Sequence, residues 1–143
     1  MTGGESESGW AAVSPPVVGW PASLDVCSGA LAGGADGAAS LLLQHPDLTA
    51  LICLNDRMAM GAVQQAYHLG KRVPDQLTIV GYDDIPAAEI MVPSLTTINQ
   101  QALTLGYEAS RILFEVLNGQ SPESKVIPVE LVARGSSAPP ADQ

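Results

Sequence analysis

Two polar residues stand where apolar runs end: Asn55 closes the run at residues 50–54, and Asp83 closes the run at residues 77–82. Each run reads as a strand. If the two strands are parallel, both ends fall on one edge of a sheet, where open α/β sheets bind small molecules because the crossover connections leave a crevice there. An Asn amide both donates and accepts hydrogen bonds, whereas an ionised Asp only accepts, so it reads hydroxyl and N–H groups. Asn55 and Asp83 are therefore candidate ligand-binding residues, and the pocket they predict takes a small polar molecule.

Other chemistry finds less support. Asp83 and Asp84 are adjacent carboxylates, and neighbouring side chains diverge, so they do not by themselves form a glycosidase pair across a bond. Asp84 and Asp56 read as turn and cap residues. His45 and His68 stand apart and read as surface residues, and no serine-nucleophile, zinc-protease or phosphate-cradling motif occurs. Gly33, Gly34 and Gly37 lack the acid-terminated spacing of a dinucleotide site. No metal site, cofactor or catalytic residue is predicted. Cys27 and Cys53 sit on apolar-flanked segments without metal-like spacing and read as buried thiols rather than a disulfide.

The elements that must carry Asn55 and Asp83 follow from the pattern. Residues 1–22 are rich in Gly, Ser and Pro and read as irregular. Leu24 and Val26 alternate as a short strand would, while Gly29, Gly33 and Gly34 weaken any regular element. Ala38, Leu41 and Leu42 recur at helical spacing across residues 36–45, and Pro46 stops them. The strand at 50–54 is nearly all apolar, which predicts cover on both faces. Asp56 is placed to cap the next helix, whose stripe of Met58, Ala59, Ala62, Val63, Ala66 and Leu69 ends at Gly70. The second strand, parallel to the first, makes a βαβ unit. Residues 85–91 predict a helical turn, 101–117 the longest helix with Leu105, Ala109, Ile112, Leu113 and Val116 on one face, and 126–132 a last strand. The tail, 136–143, reads as loose.

The chain's 143 residues with 46% hydrophobic content suffice for one folded core. No apolar run reaches the roughly 20 residues of a membrane span, and the start lacks the charged and apolar regions of a secretory signal, so a soluble cytoplasmic protein is expected. Six basic residues face fifteen acids, for a net charge of −9. Because DNA affinity comes largely from Lys and Arg neutralising phosphates, the chain is not expected to bind nucleic acid by itself.

Four motifs in order carry a family resemblance: Asn55-Asp56-Arg57-Met58-Ala59-Met60-Gly61, Gly70-Lys71-Arg72-Val73-Pro74, Val80-Gly81-Tyr82-Asp83-Asp84-Ile85-Pro86 and Pro93-Ser94-Leu95-Thr96-Thr97-Ile98. From about residue 49 to 139 the chain resembles the effector-sensing region of the lactose/galactose repressor (LacI/GalR) family. The resemblance implies an α/β fold with a parallel sheet flanked by helices, the C-terminal lobe of a type I periplasmic-binding-protein-like sensor. Residues 23–135 would be part of that sensor, and the helix within 101–119 would belong to the other lobe. It also implies that Asn55 and Asp83 bind a small-molecule effector, a sugar or related metabolite. Met60, off the main helical stripe, would face the subunit interface of a homodimer. DNA would be bound only through a basic headpiece, and nothing resembling one precedes Trp10. Sensors of this family add an Arg and an aromatic wall upstream of the matching Asn; here no Lys or Arg precedes Arg57, and residues 27–34 offer only small residues and Leu31. The implied role is transcription regulation. The alternatives are a transport-type sugar-binding protein and, third, a small hydrolase using Asp83.

Overall fold

The computed structural model describes residues 31–139. Its first element is a helix where glycines argued against one: α1 runs Leu31–Gln44 and buries Gly33, Gly34, Gly37, Ala38 and Leu42. The bare backbone is the reason for the close packing. A Cβ on Gly34 would lie 2.0 Å from the Met58 carbonyl oxygen, and one on Gly61 would lie 1.9 Å from that of Leu31. The glycines thus let α1 and the helix α2, Asp56–His68, approach backbone to backbone, and the packing outweighs the roughly 1 kcal/mol that each helical glycine costs relative to alanine. The expected start at residue 36 was late because the pattern of large side chains begins only there. The short strand around Leu24 and Val26, the segment 1–22 and Cys27 lie outside the described residues.

α2 joins two parallel strands, β1 at Ala50–Ile52 and β2 at Thr78–Val80, paired Ala50↔Thr78 through Ile52↔Val80. Gly70, at φ 73°, ends α2. The Lys71 N–H then returns to the Ala66 carbonyl and the Gly70 N–H to that of Tyr67, the pattern of a Schellman stop. The core lies between this βαβ unit and α1: Ala59, Ala62, Val63 and Ala66 of α2 meet Ala38, Leu42, Leu51, Leu77 and Ile79. β1 is covered on one face only. Leu51 is buried, but Ile52 is 78% and Leu54 74% exposed, so the expectation of cover on both faces fails among the described residues.

Beyond β2 the short helix α3, Pro86–Ile90, leads to β3, Thr97–Asn99. The approach to β3 runs alongside β2 in parallel, with a bridge between Val80 and Thr96 and a bond from the Asp83 N–H to the Ile98 carbonyl. From there the chain makes an excursion: helix α4, Ala102–Leu117, then β4, Glu130–Val132, which returns antiparallel to β3. β4 is shorter than the expected 126–132 because Pro128 has no N–H to give a ladder. α4 buries no residue at all. Leu103, Tyr107, Phe114 and Leu117 are each exposed by two thirds or nearly so. The described part of the tail, residues 136–139, is tighter than expected: Ser136 is fully buried, its hydroxyl donates to the Ile79 carbonyl and accepts from the Thr96 N–H, and the Ala138 carbonyl accepts from Thr78. No described helix is long and apolar enough to cross a membrane.

Candidate functional site

Asn55 and Asp83 each lie three residues past the end of their strand, and the strands are parallel neighbours, so both residues come to the same end of the sheet. Their backbones are linked through the residues beside them, because the Asp56 N–H donates to the Tyr82 carbonyl at 2.8 Å.

Asn55, rather than Asp56, caps α2. Its extended backbone turns the side-chain Oδ1 back to accept from the Met58 N–H at 2.8 Å, which satisfies one of the free amides of the first turn. The side-chain oxygen is therefore engaged with the helix. Asp56, one residue on, is wholly buried and has another task. One carboxylate oxygen accepts from the Thr97 hydroxyl at 2.5 Å and the other from the Ile85 N–H at 2.8 Å. It thereby ties the start of α2 to β3 and to the turn after β2. Gly81 makes room for it: a Cβ there would stand 2.2 Å from Asp56 Oδ1.

The turn itself is strained. Asp83 has φ 118° and Asp84 φ 56°, both on the side of the map that L-residues avoid. Such conformations cost on the order of 1–3 kcal/mol each and persist where surrounding contacts over-determine them, often at functional sites. Those contacts are present. Asp83 Oδ1 accepts from Gln100 Nε2 at 2.6 Å. Asp84 accepts from Arg134 Nη2 at 2.7 Å and from Asn99 Nδ2 at 2.9 Å, while Arg134 Nη1 reaches the Leu95 carbonyl at 3.0 Å. Burial, and after it the charge of Asp56, push the Asp83 carboxyl above its ordinary range. No buried side-chain nitrogen or oxygen among the described residues lacks a partner.

Sequence reasoning missed Gln100 and Arg134. Arg134 lies fifty positions from the aspartate it pairs with. The signal that could have found it is the scarcity of cations: one of only six basic residues stands two positions past the last strand. Met60 is half-buried on α2, and His68 is exposed on the same helix. No group of three or more His, Cys, Asp or Glu side chains that could hold a metal ion occurs among the described residues.

Residues 21–137 match the family of periplasmic binding protein-like domains. The chain is 44% identical over 98 residues to the HTH-type transcriptional repressor PurR of Pasteurella multocida, an alignment covering 67% of this chain and 29% of the repressor. It is 41% identical over 107 residues to the HTH-type transcriptional regulator MalR of Streptomyces coelicolor, covering 73% of this chain and 31% of the regulator. The chain thus spans under a third of the length of these relatives. Among solved structures, it superposes on a LacI family regulator of Enterococcus faecium with bound ribose, with a TM-score of 0.71 and 32% identity, covering 79% of this chain and 42% of that one. The dimeric lac repressor with an 11-residue C-terminal deletion gives a TM-score of 0.72 at 31% identity, covering 78% and 42%. These relatives are transcriptional regulators rather than enzymes. The chain belongs to the periplasmic-binding-protein-like domain family, in the branch found in LacI/GalR transcriptional regulators.

Proposed function

We propose that this domain is the effector-sensing part of a LacI-type regulator in the cytoplasm, binding a sugar or related small metabolite at the carboxyl end of β1 and β2. The observation that carries the reading is the Asp83 turn, a half-buried carboxylate held at φ 118° at the same sheet edge as Asn55. A carboxylate accepts from the hydroxyl and N–H groups that a sugar or related metabolite presents. Asn55 and Asp83 would orient the effector, and a ligand that prefers one arrangement of the protein would shift the balance between arrangements and so the DNA affinity of the whole regulator. DNA contact belongs to a headpiece, and Met60 to the interface of a homodimer. The ribose bound to the Enterococcus faecium regulator favours a sugar over other small molecules. The regulators among the relatives favour this reading over a transport-type binding protein.

Titration of the labelled 143-residue chain with ribose, lactose and cellobiose, followed by amide chemical shifts, tests the proposal. One sugar should move the signals of residues 55–57 and 82–85 in a saturable way, and Asp83→Ala should abolish the effect. Shifts confined to other regions, or a sugar response untouched by Asp83→Ala, would remove the site.

A further inference from the structure

The aspartate beside the proposed ligand contact is bound to both ends of the α4 excursion. Asn99 belongs to β3, the strand going out, and Arg134 follows β4, the strand coming back; both hold Asp84, one on each carboxylate oxygen. The ion pair is sheltered, with 18% of the Arg134 side chain and 15% of that of Asp84 exposed. Shelter matters here, because exposed pairs contribute little whereas breaking a sequestered one leaves a charge without its partner. Arg134 is also fixed at its backbone, where its N–H donates to Thr96 Oγ1 at 2.8 Å. α4 buries nothing, so it gives the excursion no anchorage of its own. The strained pair Asp83-Asp84 is thus held at positive φ by residues that can move only if β3 and β4 move.

We propose that Asp84, Arg134 and Asn99 form a clamp that couples the geometry of Asp83 to the placement of the β3–α4–β4 excursion. Arg134 acts as a positioning residue. It holds the turn that aims the Asp83 carboxylate. Displacing the excursion pulls Arg134 and Asn99 off Asp84 and lets the turn relax out of its strained backbone. Conversely, a ligand that favours the present position of Asp83 favours the present position of the excursion, since coupling between two sites is reciprocal. The clamp's role in sensing rests on the effector-binding reading above; its mechanical coupling does not.

Amide hydrogen exchange on the full chain separates the two. In Arg134→Met and in Asp84→Asn, exchange should quicken about tenfold or more both at residues 83–85 and at residues 97–99 and 130–132, with α2 unchanged as the control for folding. The double variant should add little to either single one, because both remove the same contact. Arg134→Lys, which keeps the charge but not the fork, should fall between, and it supplies the measurement if Arg134→Met fails to fold. Faster exchange in β3 and β4 with residues 83–85 still protected would overturn the clamp. With ribose as the ligand probe, Arg134→Met should weaken binding about tenfold while Arg134→Lys restores part of it. If the unaltered chain binds no sugar, the functional reading fails and the exchange pattern still decides the clamp.

Discussion

The α1–α2 layer and the β3–α4–β4 excursion are built from opposite materials for opposite ends. The first is made of small residues, with Gly34, Gly37, Ala59, Ala62 and Ala66 buried, and its helices meet at the backbone. The second is made of large apolar residues, and its helix leaves Leu103, Tyr107, Phe114 and Leu117 in the open. Hydrophobic content alone would rank them the wrong way round. Stability follows close approach and removal of area from water, so α4 with its Leu, Phe and Tyr contributes less than a helix of glycine and alanine. The excursion is joined to the β1–β2 sheet by the Val80–Thr96 bridge, by the bond from the Asp83 N–H to the Ile98 carbonyl, and by side chains from Asn99, Gln100 and Arg134 that converge on the Asp83-Asp84 turn.

Truncating one leucine in each region gives the widest contrast. Leu77 is fully buried in the core, and Leu77→Ala should destabilise the chain by about 2–5 kcal/mol. Leu113 is 56% exposed on α4, and Leu113→Ala should change the urea midpoint by less than the equivalent of about 0.5 kcal/mol. Equal losses would mean that α4 is packed against something in solution, and the comparison between the regions would collapse.

Adding a methyl group reverses the sign between the same two helices. Gly61→Ala must push the Leu31 carbonyl away and should cost about 1–3 kcal/mol through overpacking. On α4, nothing lies within 4 Å of a Cβ at Gly106, so Gly106→Ala should stabilise by about 0.5–1 kcal/mol through helix propensity. Thermal unfolding of both variants, read by circular dichroism, checks the pair. A neutral Gly61→Ala would show that α1 can step back from α2 without loss.

The legible and illegible parts of the fold divide along sequence distance. The βαβ unit announced itself through local signals: an apolar run, a stripe at helical spacing, Gly70 and a second run. Helix α4 could be read equally well, and Gly119 at φ 76° ends it with the same kind of return bond that Gly70 makes for α2. α1 was half hidden, since glycines read as breakers until the partner helix is known. At the site, the strand-end position of Asn55 and Asp83 followed from the pattern. The side chains that hold the turn did not, because Gln100 and Arg134 reach it from 17 and 50 positions away. Asn55 and Asp56 show the finer limit: both are cap formers by type, and only the backbone at the strand exit decides which one caps and which is buried.

The smallest expected effect concerns protons, and it too has opposite signs in the two regions. Asp83, beside the core, has its carboxyl raised by burial and then by Asp56. A raised carboxyl means that the folded state holds its proton more firmly than the unfolded one, so the contribution is full below the ordinary aspartate value and is lost as pH rises through the folded value. Glu108, on α4, is lowered by hydrogen bonds from Lys125 and then Arg111. Its contribution is present above the ordinary glutamate value and is lost as pH falls through the lowered one. Asp83→Asn should therefore flatten a decline in stability on the alkaline side of the ordinary carboxylate range. Asn also tolerates positive φ well, which adds an offset independent of pH; only the change in slope reports the ionisation. Glu108→Gln should flatten a loss on the acid side, seen as faster amide exchange within α4 rather than as global unfolding, because that helix buries no residue. Urea unfolding of Asp83→Asn and α4 amide exchange of Glu108→Gln across pH 2–7 measure the two slopes. The same sign for both would mean that the hydrogen bond from Gln100 to the Asp83 carboxylate outweighs its burial, and the sheltered edge on which the site depends would not exist in solution.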